Sequence, residues 1–160
     1  MKRVLHLLAS VAVVGVLGWF VVDAEALIRD GEIVLVETAP VDPRSLIQGD
    51  YMRLAWAMER AAEIDEPGVH TIVIGLDERR VASFRRRADG APLEADERLF
   101  QVRGGSSRGG FVIEPHSFLF QEGRADDFAG AKYGVFRVAR SGRHLLTGLA
   151  RADATPIAPR

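Results

Sequence analysis

Behind Lys2 and Arg3 lies an unbroken uncharged run, Val4 to Val22, and no other feature limits the fold of this chain so strongly. Nineteen such residues are enough to span a bilayer as a helix, because the hydrocarbon core is about 30 Å thick and a helix rises about 1.5 Å per residue. Asp23 and Glu25 follow the run. With the basic residues kept in the cytoplasm, everything after the run faces outward, and Trp19 and Phe20 fall near the outer interface. The competing reading is a cleaved signal peptide, for which Ala24-Glu25-Ala26 supplies small residues. The length of the run favours an uncleaved signal anchor over residues 1–26, with a folded domain over 27–160. His6 reads as a tolerated polar residue near the cytoplasmic edge.

The remainder is one domain of ordinary size, since the whole chain has 160 residues and 48% hydrophobic content. A formal net charge of −1 lacks the basic excess that phosphate neutralisation demands, so nucleic acid is excluded as a partner. Without cysteine there is neither disulfide nor thiol nucleophile. Lys2 and Lys132 are the only lysines among the basic residues, and arginine cannot act as a general base in their place.

Short β-type segments recur beyond the anchor. Glu32 to Glu37 has the β-branched content of a strand and is closed by Pro40 and Pro43. A strand is expected from Tyr51 to Met58, with Met52, Leu54, Trp56 and Met58 on one face and Tyr51, Arg53, Ala55 and Ala57 on the other. A turn of helix over Glu59 to Glu63 follows it. His70 to Leu76 and Arg80 to Arg85 form a hairpin around Asp77-Glu78. Leu99 to Val102 pairs with Gly110 to Ile113 across a glycine-rich loop that lacks the lysine of a phosphate-binding loop. A short helix covers Arg124 to Lys132. Tyr133 to Ala139 and His144 to Ala150 make a terminal hairpin. The expected class is mainly β: an N-terminal transmembrane helix, then a compact, mostly antiparallel barrel or sandwich.

The densest turn chemistry lies between the first two strands. Asp42 before Pro43 suits a turn cap, and Gly49-Asp50 lets the chain reverse into the next strand. One reading is a rigid turn feeding a core strand. The other is a polar surface built from Asp42, Arg44, Asp50 and Tyr51 that grips a partner or ligand. Glu122-Gly123-Arg124, a glycine between opposite charges, is the second candidate.

Gly49-Asp50-Tyr51-Met52-Arg53-Leu54-Ala55-Trp56 resembles the signature of the GDYXXLXY proteins, with Trp56 where the final tyrosine belongs. Ala39 to Leu46, Phe118 to Ala125, and the segments Phe136-Arg137-Val138 and Gly148-Leu149 also look like that family, so the resemblance runs from about residue 32 to 150. It implies a single-pass protein of the bacterial inner membrane with a periplasmic domain, often accompanied by a multi-span integral membrane protein. It carries over no catalytic residue, metal ligand or cofactor. The binding residues it suggests are Asp42, Arg44, Gly49, Asp50, Tyr51, Leu54, Trp56, Glu122, Gly123 and Arg124, on a non-enzymatic accessory domain of unassigned oligomeric state.

Catalytic alternatives are thinner. Ser45 near Gly49-Asp50 is distantly similar to the serine/lysine signal peptidases, but no lysine lies between Lys2 and Lys132 to activate it. Serine triads drawn through His70, His116 or His144 lack a nucleophile elbow. The histidines are scattered, without metal-ligand spacing. Asp126-Asp127 with Glu122 reads as an acidic first helical turn, Arg85-Arg86-Arg87 as a solvated strand end, and His116 as part of a loop hydrogen-bond network. A serine-dependent hydrolase and an envelope module for a small ligand are the remaining alternatives.

Overall fold

The computed structural model describes residues 2–39, 47–48, 51–105, 110–121, 123 and 125–157. Helix α1, Lys2–Asp30, carries the uncharged run and continues through Asp23 and Glu25 to the edge of the domain. From Leu8 to Val22 its side chains stay in the open, with Trp19 72% and Phe20 64% exposed, whereas Leu27 is buried near its end. Over Leu8–Asp30 it is long and apolar enough to cross a membrane. A helix that leaves its side chains unpacked against its own domain needs another apolar medium to cover them.

The domain is β-rich, as expected, and its strands form three three-stranded antiparallel sheets, none of which closes into a barrel among the described residues. The first has the order β1-β8-β9, from Glu32–Glu37, Tyr133–Val138 and His144–Ala150. The second is β2-β3-β7, from Ile47–Gln48, Tyr51–Arg53 and Ser117–Leu119. The third is β5-β4-β6, from Ala82–Arg87, Gly68–Leu76 and Glu97–Gly104.

The unbroken apolar centre of β1 is buried on both faces. Val34 and Val36 enter the main core, while Leu35 joins Tyr133 and Ala150 in a smaller cluster. A parallel bridge from Leu35 to Val81 ties the first sheet to the third, and a bridge from Thr38 to Trp56 ties it to the segment after β3. In the β4–β5 turn, Asp77 Oδ1 accepts from the amides of Arg79 (2.9 Å) and Val81 (2.7 Å) and so holds Arg80 at φ 64.

Three elements differ from the sequence expectation. The strand from Tyr51 ends at Arg53, and Ala57–Arg60 curls into a 3-10 turn. The alternation of Met52, Leu54, Trp56 and Met58 into the core nevertheless holds. Gly110 to Ile113 forms a single bridge, Val112 to Arg103, because the β6-side amides that would extend the ladder, those of Gln101 and Gly105, donate to the carbonyls of Gly142 and Ile64 instead. The expected helix over Arg124 to Lys132 contracts to α2, Ala125–Phe128, with Asp126 and Asp127 in its first turn.

Candidate functional site

The two segments singled out in the sequence are neighbours in space. Strand β3 pairs with β7 in the register Tyr51↔Leu119, Met52↔Phe118 and Arg53↔Ser117. Met52 and Phe118 turn inward, and Phe118 and Phe120 both pack on the buried ring of Phe128, with centroids at 5.4 and 5.2 Å. The pleat therefore sends Tyr51, Arg53 and Leu119 outward. Leu119 is 77% exposed and Tyr51 36%, so a leucine and a tyrosine stand side by side in solvent. Arg53 beside them has no ion-pair partner among the described residues. The pairs Ile47↔Met52 and Gln48↔Tyr51 complete the small sheet and flank Gly49 and Asp50. Gly49, Asp50, Asp42, Arg44, Glu122 and Arg124 lie outside the described residues, as does Ser45.

Leu54 and Trp56 do a different job. Both are buried, and the indole Nε1 of Trp56 donates to the carbonyl of Ile113 at 2.9 Å. The Trp56 ring meets Phe136 edge-on at 5.1 Å, and Phe136 in turn meets Phe100 at 5.8 Å. Gly134 of β8 lies directly under the indole, where an added Cβ would sit 2.5 Å from both Cη2 and Cζ3. These two signature residues build the core that supports β3, and among the described signature residues Tyr51 is the one left at the surface.

Glu59 was not foreseen from sequence. One carboxylate oxygen, Oε1, accepts from the amide of Ile113 at 2.8 Å and lies 2.9 Å from His116 Nε2, while Oε2 sits 3.5 Å from the amide of Trp56. Its backbone carbonyl accepts from Phe111, and Gly110, at φ +81, leaves room for that carbonyl where a Cβ would come within 2.1 Å. The amide of Leu54 donates to the carbonyl of His116 at 2.8 Å. Glu59 thus serves as a neighbouring strand for residues 111–113 and locks the exit of β3 in place.

No reaction centre assembles among the described residues. His70 Nε2 lies 2.8 Å from the Glu66 carbonyl, His116 engages Glu59, and the Lys132 ammonium pairs with Glu37 at 2.7 Å. His144 stacks on Phe100 at 4.0 Å with its ring nitrogens near the carbonyls of Gly142 and Glu114, and burial pushes its pKa down. Glu32 is held below the usual carboxylate range by Arg98, with Arg80 adding to the effect. Among the described residues no group of three or more histidine, aspartate or glutamate side chains is placed to hold a metal ion.

The decisive comparison covers most of the chain, with residues 13–149 matching the GDYXXLXY protein family. The chain belongs to that family. No curated protein and no solved structure matches it. For this GDYXXLXY protein, the match spans much of α1, the β3 signature and the terminal hairpin together.

Proposed function

We propose that this GDYXXLXY protein is a membrane-anchored, non-enzymatic accessory subunit. Residues 1–26 form its single-pass anchor in the bacterial inner membrane. Residues 27–160 form a periplasmic domain that grips a multi-span integral membrane protein. The observation that carries this reading is the Tyr51–Leu119 pair, which sets an exposed leucine of β7 beside a partly exposed tyrosine on the strand that bears the signature. Exposed aromatic and aliphatic groups beside an arginine are the anchors that protein interfaces favour. The chain's own apolar helix, long enough to cross a membrane, supports a partner in the same membrane.

The test is co-extraction of the tagged full-length protein from its own membranes in mild detergent. A stoichiometric multi-span protein accompanies the unaltered chain and is lost from a Tyr51→Ala, Leu119→Asp variant that keeps its far-ultraviolet circular dichroism. The same recovery from both chains would overturn the assignment of this face.

A further inference from the structure

We propose that the β8–β9 turn, Arg140 to Arg143, rests on anionic phospholipid headgroups beside α1, with Arg140 as the cation that meets them. The inference rests on the reading of α1 as a membrane anchor and adds a second contact between the domain and the bilayer.

Three contacts set the height of this turn. Glu32 pairs with Val138, so the end of β8 lies beside the end of the helix, and an Arg137 guanidinium nitrogen donates to the Gly31 carbonyl at 3.0 Å. The chain then doubles back along the helix. Arg143 forms a two-pronged ion pair with Asp23, one prong at 2.8 Å. Gly31 and Asp23 are separated by about 12 Å along the axis, so the two guanidinium contacts on either side of the turn are spread along the helix by that distance.

Asp23 is the first charged residue after the uncharged run that ends at Val22. The Arg143 guanidinium is therefore level with the edge of the apolar segment. Trp19 lies one helical turn below, on the same face as Asp23, and is 72% exposed. A tryptophan at that depth marks the headgroup layer. The β8–β9 turn is thus directly above that layer.

The charges around the turn leave one cation available there. Arg143 is committed to Asp23. Of the acids around the groove, Asp30 pairs with Arg29, Glu32 with Arg80 and Arg98, and Glu97 with Arg86. They share a groove of about 770 Å³ with Glu94 and Arg140, whose side chains have no ion-pair partner among the described residues. Arg140 is exposed and sits on the turn itself. A guanidinium is suited to two-pronged binding of phosphate oxygens.

The chain contains no cysteine, so single labels can be placed cleanly. Full-length protein carrying bimane at Ser141→Cys or at Val14→Cys is reconstituted into nanodiscs of phosphatidylcholine, with or without phosphatidylglycerol. Quenchers are lipids spin-labelled at the headgroup or mid-chain. The Val14 label is quenched by the mid-chain spin label in both discs. The Ser141 label is quenched by the headgroup spin label, with its close-contact population enriched about fivefold by phosphatidylglycerol, the weight of one basic residue at an anionic surface. Arg140→Gln abolishes the enrichment. A quenched Val14 label with a Ser141 label that ignores phosphatidylglycerol, or an enrichment that survives Arg140→Gln, overturns the headgroup contact alone. An unquenched Val14 label overturns the anchor reading and the contact with it.

Discussion

Adding one methyl group at Gly134 should test how the signature strand is supported. A Cβ at Gly134 would lie 2.5 Å from two atoms of the Trp56 ring and 3.1 Å from Leu146 Cδ1. The indole cannot retreat freely, because its Nε1 is bonded to Ile113 and its edge is packed on Phe136. Gly134→Ala should therefore cost about 2–3 kcal/mol, as overpacking of a fixed core does. Trp56→Phe removes the six-membered ring from above Gly134 and leaves the Ile113 carbonyl without its donor, at a cost of about 2–4 kcal/mol. In that background the added methyl enters vacated space, and Gly134→Ala should cost less than about 1 kcal/mol. The coupling of about 1–3 kcal/mol lies within the range for contacting residues. Urea denaturation of the four proteins in nanodiscs, followed by near-ultraviolet circular dichroism, measures the cycle. If Gly134→Ala costs the same with phenylalanine at position 56, the indole is not what requires glycine there.

Glu59→Ala should destabilise the domain by about 2 kcal/mol through the unpaired Ile113 amide, while Glu59→Gln, which keeps an acceptor, costs less than half as much; thermal unfolding of both variants checks the order. Stability should fall on acidification in two windows. The depressed pKa of His144 means that its contribution is complete above the ordinary histidine value of 6.5 and is lost as pH falls from there toward the folded value. Glu32 contributes above its ordinary value of 4.5 and loses that contribution as pH falls further. Melting temperatures from pH 8 to 3 test both, and His144→Asn should remove the upper window alone. Leu119→Asp should leave the melting temperature within about 2 °C of the unaltered protein, since substitutions at such exposed positions change stability little.

Much of this arrangement was legible because it is local. The uncharged run, the apolar centre of β1 and the terminal hairpin each carry their pattern within a few residues, and all three form where expected. The inward alternation of Met52, Leu54, Trp56 and Met58 was also legible. The length of that strand was not. After Arg53 the chain changes partner, with Ala55 and Trp56 meeting Ala39 and Thr38, and then turns so that Glu59 reaches residues 111–113, a partnership more than fifty positions away in sequence. Gly110 to Ile113 stays a single bridge for a similarly remote reason, the commitment of the Gln101 and Gly105 amides to Gly142 and Ile64. The pairing of β3 with β7, which turns two separate segments into one surface, and the fit of Gly134 under Trp56 are likewise long-range, so no local propensity announces them. An acid placed just after a buried aromatic was the available sign of Glu59.

Site-specific photo-crosslinking in living cells tests the central claim most directly. A photoreactive amino acid is placed at Tyr51 or Leu119 on the small sheet, and at Val69 of β4, which is 65% exposed and belongs to another sheet. The accessory reading predicts one multi-span membrane protein crosslinked from both positions on the small sheet and not from Val69. Equal crosslinking from all three positions, or none from 51 and 119 in a correctly inserted chain, would contradict it.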